Sequence, residues 1–138
     1  MPRRRPAEVR NRWAVPLRPG QHVPEVPRVS AAATRAIAEL ERSRWSPGAI
    51  ADALAEWTRF VHGPARRLDN PSAGSVGCPC CENGGGAIPR ETLHRALHEL
   101  PTNAARELRA LIRPLDELYL ARSIPEPSTD FVRSLIDD

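Results

Sequence analysis

Cys78 and Cys81, followed by His94 and His98, form the pattern Cys-x2-Cys-x12-His-x3-His, two thiols and two imidazoles at metal-ligand spacing. All three cysteines of the chain, and two of its four histidines, fall within residues 78 to 98. Thiolate sulfur and imidazole nitrogen are the ligands that hold Zn²⁺ in tetrahedral structural sites. The expected chemistry is coordination of one Zn²⁺ by Cys78, Cys81, His94 and His98. Cys80 is an alternative ligand in place of one histidine, or else a free thiol beside the metal. With all four ligands bound the ion has no open position, so its expected role is structural. A redox-active Cys-x2-Cys is disfavoured because no alternation of strands and helices surrounds it.

Something must position these side chains. Pro89 fits the first turn of a helix that runs to about Leu100, with Leu93, Ala96, Leu97 and Leu100 toward a core. His94 and His98 are four residues apart and share a face beside that stripe. The preceding run, Glu82 to Pro89, reads as a loop in which Asn83 and Gly84 to Gly86 supply turn conformations. Residues 63–77, rich in Gly, Pro, Ser and Asn, read as another loop.

The rest of the pattern is helical as well. Ser30 predicts an N-cap for a helix to about Arg44, with Ala33, Ile37 and Leu40 on one face. Ser46-Pro47 predicts the start of a second helix, striped by Ile50, Leu54, Trp57 and Val61 and widened by Phe60. The two are expected to form a hairpin through a turn at Arg44 to Ser46. Beyond Pro101-Thr102, Ala105, Leu108, Leu111, Ile112, Leu115 and Leu118 mark a long helix that Pro114 must kink or divide. A short helix from about Ser128 is expected to turn Phe131, Leu135 and Ile136 inward. Neither a strand pattern nor an internal repeat is visible.

The segment Cys78-Pro79-Cys80-Cys81-Glu82-Asn83-Gly84 resembles the Cys-Pro-x-Cys-x-x-Gly turns of zinc knuckles and zinc ribbons. The spacing over residues 78–98 resembles that of C2H2 zinc fingers. The finger resemblance implies base-contact positions at Ala87, Arg90 and Leu93, of which only Arg90 suits a base edge. Gly85 and Glu91 stand where fingers usually carry an aromatic and a leucine. A zinc-pinned loop and helix packed on a larger domain is therefore expected, and a free-standing ββα finger is not.

Composition bounds the function. The chain has 138 residues, enough for one ordinary domain, with 41% hydrophobic and only 4% aromatic residues. All 20 positive charges are arginine, the mark of a GC-rich, bacterial coding bias, so the absence of lysine carries no message about phosphate recognition. Residues 1–29 hold seven arginines against Glu8 and Glu25, a net +5, while the remainder is −2. The basicity thus belongs to a proline-rich arm whose Arg3, Arg4, Arg5, Arg10 and Arg12 are candidate nucleic-acid contacts, with Trp13 able to stack. No apolar run has the length of a membrane span, and no secretory signal is visible, so a cytoplasmic location is expected. In that reducing compartment, three clustered cysteines favour metal over disulfide.

The expected fold is mainly α. An extended arm (1–29) precedes one helical domain (30–138), made of a hairpin (30–62), a loop (63–77), a zinc loop-helix (78–100) and C-terminal helices (101–138). The expected function is that of a non-enzymatic, zinc-stabilised protein-binding or adaptor module. The alternative is a nucleic-acid-associated accessory protein that uses the arm. No P-loop, Gly-x-Ser-x-Gly or dinucleotide fingerprint is present.

Overall fold

The computed structural model describes residue 20, residues 22–71 and residues 85–138. Among these are six helices and no strand: α1 (Ala31–Arg44), α2 (Ala49–Val61), α3 (Ala65–Leu68), α4 (Ala87–Glu99), α5 (Thr102–Arg122) and α6 (Asp130–Asp137). The chain is therefore mainly helical, as its apolar periodicities require. No described helix is long and apolar enough to cross a membrane.

The core gathers the predicted stripes. Ile50, Trp57 and Val61 of α2, Leu93 and Ala96 of α4, and Leu108 and Ile112 of α5 are all at most 1% exposed. Trp57, Phe60 and Tyr119 stack as an aromatic cluster with ring centroids 5.3 to 6.3 Å apart. Three large aromatic faces in contact supply much of the apolar burial in a chain so poor in aromatics.

Ser30 caps α1 as expected, accepting the Ala33 N–H at 3.1 Å. Its own N–H and Oγ–H donate to the Glu107 carboxylate at 2.6 and 2.8 Å, which ties the start of α1 to α5. These two bonds hold the Glu107 carboxyl below its ordinary range. The main partner of α1 is accordingly α5, and that of α2 is α4. The hairpin thus exists in sequence, with a connection at 45–48, but its two helices pack mainly on other elements.

Three expectations are corrected. The second helix starts at Ala49, not at Ser46-Pro47, because its free N–H groups go to a carboxylate from α1. Glu41, 5% exposed, accepts from the N–H groups of Gly48 at 2.7 Å and Ile50 at 2.9 Å. Gly48 has φ 82°, and a Cβ there would lie 2.7 Å from the Pro24 ring. Secondly, Pro114 does not divide α5. It lies on the exposed face, and the carbonyl that loses its intrahelical donor belongs to Ala110, also exposed, so the helix continues through it. Thirdly, α6 buries Val132 completely while Phe131 stays 49% exposed, with Leu135 and Ile136 half-buried. Just before the helix, the hydroxyl of buried Thr129 lies within hydrogen-bond distance of the Ile124 and Glu126 carbonyls, which share its one proton. Within the predicted 63–77 loop, the single turn α3 buries Leu68.

Replacing Glu41 by alanine leaves two buried N–H groups without an acceptor. We expect a loss of about 1–3 kcal/mol in urea denaturation, larger than for alanine at exposed Glu39.

Candidate metal centre

The helix that carries both histidines starts against the aromatic cluster. Gly86 precedes it, and a Cβ there would lie 2.3 Å from the Phe60 ring and 2.6 Å from that of Trp57. Glycine is what allows so close an approach. The Ala87 N–H is met by the carbonyl of buried Pro71 at 3.1 Å. Pro89 sits in the first turn, where its missing donor is harmless.

One turn further, Arg90 points into the protein with its side chain 3% exposed. Its Nε and Nη2 donate to the two oxygens of Asp116 on α5, each at 2.9 Å, in a bidentate pair. Nη2 also donates to the Leu135 carbonyl of α6 at 3.0 Å, and the Trp57 Nε1–H of α2 donates to Asp116 at 3.1 Å. Burial pushes the Asp116 carboxyl above its ordinary range, while Arg90 and then Trp57 pull it back. Nη1 of Arg90 is buried with no hydrogen-bond partner among the described residues.

Arg90, His94 and His98 follow one another at i, i+4 and i+8 along α4, and exposure rises from the first to the last: side chains are 3%, 20% and 57% exposed. The anchored arginine thus fixes the rotation of the helix, and the two imidazoles emerge at its edge. Their rings lie 4.5 Å apart between centroids, at 63°. Asp138, at the end of α6, reaches both. Its Oδ2 is 3.5 Å from His94 Nε2 and 3.3 Å from His98 Nε2. One ligand atom from each of the three residues lies within 4.8 Å of the others.

These residues stand on the wall of a cavity of about 400 Å³ between α4, α5 and α6. Its apolar lining comes from Leu97, Ile112, Leu120, Leu135 and Ile136, and the Arg90–Asp116 pair contributes to it as well. Arg109 and Arg113 bring positive charge to the same space.

Of the sequence-predicted ligands, His94 and His98 are brought together as their spacing required. Cys78, Cys81 and the alternative Cys80 lie outside the described residues. So do Arg3, Arg4, Arg5, Arg10, Arg12 and Trp13 of the arm. Ala87, Arg90 and Leu93, the positions that the finger resemblance implies for base contact, are 5%, 3% and 0% exposed and face the core. Arg90 is committed to Asp116 and is closed to a base edge. Sequence reasoning missed Asp116 and Asp138. Asp116 had a signal, since it interrupts the apolar row of Ile112 and Tyr119; Asp138 had none.

Replacing Asp116 by alanine strands the buried Arg90 charge, and we expect about 3–5 kcal/mol of destabilisation. Combining Arg90→Met with Asp116→Asn removes both charges while keeping an acceptor for Trp57. That double variant is expected to recover most of the loss, as read by a double-mutant cycle in urea.

Compared with known proteins, the sequence matches no protein-family model, no curated protein and no solved structure.

Proposed function

We propose that this chain is a metal-stabilised helical binding module, non-enzymatic, in which His94 and His98 hold one Zn²⁺ and the helical body receives another protein. The observation that supports it most is the imidazole pair: two rings one turn apart, each with Nε2 within 3.5 Å of Asp138 Oδ2. Imidazole favours zinc and its first-row neighbours over calcium or magnesium. The sequence spacing offers Cys78 and Cys81, with Cys80 as alternative, for further coordination positions. A small core with few aromatics gains from such an ion, because the free energy of binding adds to that of folding.

The receiving surface in this reading is a groove of about 800 Å³ between α2 and α5. Leu54, Leu111 and Leu115 line it, with Arg28 and Arg59 beside Glu25 and Asp52. An apolar floor with charges of both signs at its edge suits an amphipathic segment of another protein. The basic arm supports a second reading, contact with nucleic acid, through its +5 charge in residues 1–29.

Elemental analysis of the purified, untagged chain is expected to find one zinc per molecule. The His94→Ala, His98→Ala double variant should lose it, and chelation should lower the melting temperature of the parent protein only. A parent protein that binds no added zinc at neutral pH would refute the metal half. For the second half, Leu111→Glu is expected to release a co-purifying protein while zinc content stays unchanged. Retention on DNA at low salt, abolished by Arg3, Arg4 and Arg5 to Ala, would favour the arm instead.

A further inference from the structure

We infer that Asp138 is a third ligand of the metal, so that the ion joins α4 to α6 and closes one side of the cavity between them. This rests on the proposed imidazole pair and adds to it a ligand that follows another helix, one residue past the end of α6.

Geometry carries the inference. Bonds of about 2.0–2.1 Å around a tetrahedral Zn²⁺ set neighbouring ligand atoms about 3.3–3.4 Å apart. The two distances from Asp138 Oδ2, to His94 Nε2 and to His98 Nε2, are 3.5 and 3.3 Å. Two edges of a coordination tetrahedron are therefore in place. One ligand atom from each of the three residues lies within 4.8 Å of the others, and the two imidazoles, 20% and 57% exposed, are not locked by packing. Two nitrogens and one carboxylate oxygen form a donor set for zinc or cobalt(II). One tetrahedral position remains.

The consequence concerns α6. Apart from buried Val132 and the two hydrogen bonds that Arg133 donates to Ser123, this eight-residue helix is held to the cavity wall by Leu135, whose carbonyl takes a hydrogen bond from Arg90, and by Ile136. A metal bond at Asp138 adds a tie one turn beyond Leu135. Metal binding then protects the amides of α6, although most of the ligand set lies on α4.

The test uses the full chain, with zinc affinity measured by competition against a chromophoric chelator and α6 followed by amide hydrogen exchange. Asp138→Asn and Asp138→Ala are expected to weaken zinc at least about tenfold, a loss that even outer-shell partners produce. Both variants should also abolish zinc-dependent protection of α6 while leaving the helicity of the zinc-free protein unchanged. Cobalt(II) bound to the parent should change its visible spectrum on Asp138→Ala. If both Asp138 variants bind zinc as tightly as the parent while Cys78→Ser with Cys81→Ser abolishes binding, Asp138 is no ligand, and the proposed His94/His98 site survives without it. If the His94→Ala, His98→Ala variant also binds like the parent, both readings fall and Asp138 forms an ion pair only.

Discussion

Four helices meet at one buried ion pair. Asp116 of α5 receives two hydrogen bonds from Arg90 of α4 and one from Trp57 of α2, and Arg90 passes a further bond to the Leu135 carbonyl of α6. A buried ion pair contributes little net stability, since taking both charges out of water costs nearly what their attraction returns. Its effect here is on geometry. The bidentate fork tolerates one rotation of α4 against α5, whereas leucines at these positions would tolerate several.

That rotation places the candidate site. With Arg90 locked inward, residues four and eight further along α4 emerge at the rim of the α4–α5–α6 cavity, and these are the two histidines. The start of the helix is fixed independently, by Gly86 against the Phe60 and Trp57 rings. Helix α6 is positioned through the same arginine, which brings Asp138 to the imidazoles. The proposed metal pair, its proposed third ligand and the cavity beside them thus all adjoin this one ion pair.

Much of the fold was legible in the sequence. The α1 cap at Ser30, the α2 stripe and the rotation of α4 that sets His94 beside His98 follow from local spacing, which a helix turns directly into a face. What escaped was tertiary. Glu41 follows Leu40 on an apolar face of α1, and its role appears only when the start of α2 arrives to donate two N–H groups. Arg90 and Asp116 each stand in an apolar row of their own helix, a sign that two buried charges need each other, but 26 residues of spacing do not say so. The eight residues of α6 are too few for a stripe to choose between Phe131 and Val132 as the inward residue. Asp138 meets the histidines through packing alone.

X-ray absorption at the zinc edge, on the full chain loaded with one equivalent of zinc, tests the central claim most directly. The account predicts nitrogen and oxygen neighbours at about 2.0–2.1 Å together with the outer-shell scattering of two imidazoles, lost in the His94→Ala, His98→Ala variant. A shell dominated by sulfur at about 2.3 Å, with no imidazole signature, would contradict it.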